Sequence, residues 1–312
     1  MAATCRAAVF TGQGSCEIRE FPVPDPPPGG AVLRVEAVGL CGSDLPLWHG
    51  MVTLPGMTYP MVPGHEIVGV VDRLAPDAEL GVAEGDRVAV DEVVRGPGPL
   101  RVYGYTAMDD SGEVGLYGGY GEYLRVLPGT VLHRLTVDTP AEELTQFEPL
   151  ASALNWVAVA GVGPGSSVVV QGPGHQGLAV AQAAVAAGAT TVIVTGAGGD
   201  GLRLGVAATM GATALDLVRT GGTVLLAGLK EGRPVELVSD HIVHRSLRVL
   251  GGTAFTPASM TEAVALLNAR RVDTSTLRGA VLDLDHVDEA IDLLLRRAPG
   301  RDAVRVSLRH TH

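Results

Sequence analysis

Cysteine is nearly missing from this chain: there are three in 312 residues, Cys5, Cys16 and Cys41. An odd number in so long a chain argues against a disulfide framework, which small secreted domains need because they cannot build a sufficient core. Aromatic residues are also scarce, 4% against 46% hydrophobic overall, so the core must rest on Val, Leu, Ile and Ala. Cations are outnumbered 23 to 34, for a formal charge of −11. A surface of that sign repels phosphate backbones and excludes nucleic acid as an expected partner. Met1 to Phe10 lacks a basic stretch followed by an apolar one, so no signal peptide is expected. One apolar run, Leu178 to Val194, approaches membrane length, but Gln182, Gly188 and two threonines break it into helix, turn and strand. The expectation is a cytoplasmic protein of a reducing compartment, with no membrane partner.

Glycine, in contrast, is abundant: 42 residues without a G-X-Y period, which excludes collagen and suits many tight turns. The length predicts two domains. Up to about residue 150, short β-rich runs alternate with Gly and Pro, among them Ala31–Val38, Ile67–Val71 and the turn and strand Glu84–Val90. From Glu148 the texture changes. A helix over 148–160 is followed by strand 167–171, helix 177–187 and strand 191–195. A helix over 202–210 and a strand over 212–215 come next, then strands 223–228 and 247–251. Alternation of this length predicts a parallel, doubly wound sheet. Two amphipathic helices, 259–269 and 286–297, and an edge strand over 303–306 complete the pattern.

Two short motifs carry chemistry in the first half. Gly39-Leu40-Cys41-Gly42-Ser43-Asp44 and Pro63-Gly64-His65-Glu66 each set one soft or borderline metal donor beside a carboxylate among glycines. Zinc takes deprotonated thiolate, neutral imidazole or carboxylate in a tetrahedral arrangement, and a catalytic site leaves one position open. Glu148, in Phe147-Glu148-Pro149-Leu150, is the third candidate ligand. In the second half, strand 167–171 runs into Gly172-Pro173-Gly174-His175-Gln176-Gly177, a G-x-G-x-x-G between strand and helix. Gly172 permits the tight turn, Gly174 lets backbone approach a pyrophosphate, and Gly177 allows close helix–strand packing. The helix N-terminus, with His175 and Gln176 in its first turn, holds the anion. A zinc site plus a dinucleotide loop means hydride transfer from an alcohol.

At these residues the chain resembles the zinc-containing medium-chain dehydrogenase/reductase family, particularly its polyol and threonine dehydrogenase branch. The resemblance implies a GroES-like β-barrel catalytic domain over 1–152, a Rossmann domain over 153–254, and a segment over 255–312 folding back on the first. It implies Cys41, His65 and Glu148 as zinc ligands, with Glu66 as an exchangeable fourth. Asp44 would fix the His65 tautomer, and Ser43 would open the proton relay. The substrate is then a small alcohol or its carbonyl, and the assembly a homodimer or homotetramer.

Four departures from the family pattern stand out. The usual relay histidine, five residues after the cysteine, is Pro46, which leaves the route beyond Ser43 open, with His49 as a candidate. No cysteines follow the Gly-Asp-Arg-Val strand, so one catalytic zinc and no structural zinc are expected. After Asp216 roughly forty residues, about one βαβ unit, are missing; the sheet closes differently, a segment is omitted, or the chain is a shortened relative. The second strand also ends at Gly196 rather than at a carboxylate, with Arg203 nearby, which favours NADP over NAD unless Asp200 loops back to the ribose.

Overall fold

The computed structural model describes residues 3–52, 54–108, 114–196, 200, 219–227, 239–277 and 279–311. The chain divides into two compact units, Met1–Phe147 with Val264–His312, and Glu148–Ala263.

The first unit is built on β-structure. Its elements are β1 (Thr4–Phe10), β2 (Cys16–Pro22), β3 (Ala31–Gly39), α1 (Asp44–Trp48), β4 (Glu66–Leu74), β5 (Arg87–Val90), β6 (Val93–Val94), β7 (Arg101–Val102), β8 (Tyr123–Val126), β9 (Leu132–Arg134) and α2 (Ala141–Leu144). From the C-terminal segment it adds β14 (Ala280–Leu282), α7 (Val287–Leu294) and β15 (Val306–Arg309). Seven strands pair in the order β14-β15-β3-β4-β5-β9, with β8 also on β3. Strand β3 is the axis: β4 lies along one edge, while β8 takes the start of the other edge and β15 its end. Its residues Val32, Leu33, Val35 and Val38 are fully buried, each apolar side chain stabilising by about 1.5–3 kcal/mol. The GroES-like and Rossmann-like fold expected from the sequence is the fold observed.

The register sets the site. Gly39 at the end of β3 is paired with Glu66 at the start of β4. Cys41 leaves that edge two residues later and His65 enters one residue earlier, so side chains 24 positions apart meet at one end of the sheet.

The tail differs from its sequence pattern in one respect. Alternation predicts an edge strand over 303–306, whereas β15 covers Val306–Arg309 and lies inside the sheet, between β14 and β3. Arg305, which alternation would turn to solvent, is buried.

The second unit contains α3 (Phe147–Val159), β10 (Ser167–Gln171), α4 (His175–Ala186), β11 (Thr191–Thr195), β12 (Thr223–Leu226), α5 (Ser239–His244), β13 (Arg248–Gly251) and α6 (Pro257–Asn268); α3 and α6 each run across a unit boundary. Strands β10 and β11 pair in parallel, as do β12 and β13. Among the described residues no ladder joins the two pairs. The helix expected over 202–210, the strand over 212–215 and the junction after Asp216 lie outside the described residues. Also among the described residues, no helix is long and apolar enough to cross a membrane.

Candidate metal centre and dinucleotide turn

Cys41 and His65 are hydrogen-bonded to each other through their side chains. His65 is buried and its Nδ1 has no hydrogen-bond partner. Burial works against a charged imidazole, yet Glu92, the Cys41 side chain and Asp44 together hold its pKa well above the ordinary value. The surroundings therefore favour positive charge at a thiol and an imidazole already in contact, which is what a divalent cation supplies. Away from this corner, burial pushes the thiols of Cys5 and Cys16 up to about 11 and about 12. A zinc ion fits the donor set at Cys41 and His65.

Asp44 holds this corner in shape. Its Oδ2 accepts from the Cys41 amide at 2.8 Å and from the Tyr120 hydroxyl at 3.3 Å. Its Oδ1 stands 3.7 Å from His65 Nδ1. The carboxylate is fully buried, and desolvation pushes its pKa up to about 6 against the pull of His65 and the Cys41 amide.

Glu66 is also fully buried. Its Oε2 accepts from Arg305 Nη2, which also donates to the carbonyl oxygen and Oγ1 of Thr145 at 3.0 and 2.9 Å. Glu66 Oε1 is left without a hydrogen-bond partner. Gly39 makes room for this pair, since a Cβ there would lie 1.9 Å from Glu66 Oε2 and 2.1 Å from Arg305 Nη2.

Ser43 is the N-cap of α1 but makes no capping bond from its side chain. Its Oγ accepts instead from the Tyr105 hydroxyl at 2.6 Å. Tyr105 is buried, and its ring centroid lies 4.9 Å from that of His65. Sequence reasoning missed Tyr105, Glu92 and Arg305. None sits at a motif spacing, and Glu92 and Tyr105 flank the loop that the sequence marks only by its missing cysteines.

In the second unit, Glu148 lies in the first turn of α3, buried, with its Oε1 accepting from Ser152 Oγ at 3.0 Å. The glycine turn has the form its pattern predicts. Gly172 has φ +105°, and α4 starts at His175 with Gly174 as N-cap. A Cβ on Gly177 would meet the Gly172 carbonyl oxygen at 2.0 Å, whereas one on Gly174 would meet no protein atom within 4 Å. Gly174 thus faces open space, where a pyrophosphate needs it. Gln176 Nε2 donates to the Pro149 carbonyl at 3.1 Å. After β11, a Cβ on Gly196 would lie 2.9 Å from Pro173 Cγ and 3.0 Å from Asp200 Oδ2, so a buried carboxylate packs back toward the glycine turn. Arg203 lies outside the described residues.

Residues 27–136 match the alcohol dehydrogenase GroES-like domain. A protein of Mycobacterium tuberculosis named a probable alcohol dehydrogenase is 32% identical over 363 aligned positions, covering 97% of this chain and 96% of its own. Since 97% of 312 is about 303, about sixty of those positions have no counterpart here. The erythritol/L-threitol dehydrogenase of Mycolicibacterium smegmatis is 32% identical over 221 positions, covering 64% of this chain and 59% of its own. Among solved structures, a candidate zinc-binding dehydrogenase of Sinorhizobium meliloti, bound to NADP, superposes with a TM-score of 0.83 at 27% identity, covering 99% of this chain and 100% of its own.

Proposed function

Because this chain belongs to the zinc-type medium-chain alcohol dehydrogenase family, whose members act on CH–OH groups with NAD(P), we propose that it transfers a hydride between a secondary alcohol, polyol or sugar-like CH–OH group and NAD(P). The reading places one zinc per chain on Cys41, His65 and Glu148. The observation that carries it is the joined Cys41 and His65 pair, in surroundings whose net charge favours a cation. When bound, zinc supplies the Lewis acidity that lowers the alcohol's pKa, and the nicotinamide accepts the hydride.

The chain's own residues do the rest. Asp44 fixes the Cys41 backbone through its amide and faces His65. Glu66, tied to Arg305 by one oxygen, keeps the other without a hydrogen-bond partner and would serve as an exchangeable donor. Ser43 Oγ takes the substrate's hydroxyl proton. Gly172, Gly174, His175, Gln176 and Gly177 hold the pyrophosphate at the start of α4, and Gly196 lets the adenosine ribose lie close to β11. The Gly196 terminus and Arg203 support NADP, in a homodimer or homotetramer of the cytoplasm. The buried Asp200 beside Gly196 and Pro173 supports NAD as a second reading, since a carboxylate there bonds a ribose 2′-hydroxyl and repels a 2′-phosphate. A non-catalytic relict has support in Pro46 and in the about sixty aligned positions without a counterpart here.

Metal analysis with turnover separates these readings. The expected result is one zinc per chain, and oxidation of a secondary alcohol or polyol that a chelator abolishes and zinc restores. Cys41→Ser should lose the metal and lower kcat by at least 100-fold with the fold intact. Turnover that survives chelation would instead make the chain a zinc-free reductase.

A further inference from the structure

We propose that Tyr105 is a positioning residue for the proton-transfer hydroxyl of Ser43, in a chain that has Pro46 in place of the family's relay histidine; this rests on the dehydrogenase reading above. A hydroxyl has one hydrogen and two acceptor lone pairs, and its rotor is free until partners fix it. Ser43 would ordinarily spend its oxygen capping the helix that follows, but here it makes no such bond. The Tyr105 hydroxyl donates to it at 2.6 Å and occupies one lone pair.

In alcohol oxidation the remaining lone pair of Ser43 accepts the substrate's hydroxyl proton. The substrate O–H bond breaks and a new Oγ–H bond forms, while Ser43's original hydrogen leaves to a water. The C–H electron pair departs as hydride to NAD(P)+. One proton is released to water, Ser43 ends as it began, and Tyr105 never changes its proton.

The chain holds Tyr105 firmly in that role. It follows Gly104, which sits at φ +74° with a Cβ position 2.5 Å from the Gly64 carbonyl oxygen, an approach only glycine permits. The Gly104 amide donates to the Tyr117 carbonyl at 2.8 Å, and the amides of Tyr105 and Thr106 both donate to the Val102 carbonyl. Thr106 Oγ1 in turn accepts from the Val102 amide at 2.8 Å. The turn is therefore pinned against the residue before His65, and it lays the Tyr105 ring beside the imidazole. A loop without metal-binding cysteines thus delivers a side chain to the catalytic corner.

The test is a double-mutant cycle of Tyr105→Phe and Ser43→Ala, with Ser43→Thr as the conservative control. On the metal-free protein, each single change should lower Tm by roughly 1–3 °C, and the double should fall no further than the larger single, because one bond is being removed. In the zinc-loaded enzyme, Tyr105→Phe should lower kcat about tenfold with KM within twofold, a loss confined to the transition state. Ser43→Ala should lower kcat further, the double should equal Ser43→Ala, and Ser43→Thr should retain most activity. Additive losses of Tm, or a Tyr105→Phe enzyme with unchanged kcat, would overturn the proposal. If the wild-type protein oxidises no alcohol, the functional reading fails, and the Tm cycle alone decides whether Tyr105 holds Ser43.

Discussion

Two glycines flank the cysteine motif, and they answer to different constraints. Gly39 stands against the buried Glu66–Arg305 pair with no room for a methyl group, while a Cβ on Gly42 would meet no atom within 4 Å. Gly39→Ala should therefore cost about 3–5 kcal/mol, the cost of breaking a buried ion pair whose charges then lack partners. Gly42→Ala should leave stability within about 0.5 kcal/mol. Urea denaturation of the two variants checks both. The motif itself is readable in the sequence because thiolate and imidazole between glycines have few other uses in combination. The difference between the two glycines is not, because it depends on Arg305, 266 positions beyond Gly39. Arg305 was hidden for a related reason: in Ala303-Val304-Arg305-Val306 a single charge among apolar residues resembles an exposed edge strand, and only a fully buried carboxylate partner overturns that.

Strands and helices with strong apolar periods are placed closely by the sequence. The predicted strands 167–171 and 191–195 coincide with β10 and β11, and the helix over 259–269 is shifted by one or two residues in α6. Short irregular elements are not placed. The turn from Val102 to Thr106 has no period, and its geometry comes from Gly104 meeting Gly64 across a long separation.

At the glycine turn this distinction can be measured. Gly177→Ala would push a methyl group to 2.0 Å from the Gly172 carbonyl and should lower Tm as well as dinucleotide affinity. Gly174→Ala fills space that no protein atom occupies, so Tm should hold while the Kd for NADPH or NADH, read by nicotinamide fluorescence, rises at least tenfold. Tighter binding of NADPH by the wild-type protein supports the reading from Gly196 and Arg203. Tighter binding of NADH would give the role to Asp200.

For the whole molecule, the family assignment rests on residues spread over nearly the full length, which is why it survives a shortfall of about sixty aligned positions. The rhythm of a doubly wound sheet leads to the expectation of about forty missing residues after Asp216, a junction that lies outside the described residues. What it cannot reveal is how the remaining strands share their hydrogen bonds. Within each described pair, β10–β11 and β12–β13, the ladder is parallel. Hydrogen exchange reads the opening of each pair. Adding NADPH should slow the amides of β10 and β11, whose strands feed Gly172 and Gly196, more than those of β12 and β13. A cofactor would in that case act as a local clamp, tightening half of its own domain and leaving the other half to breathe.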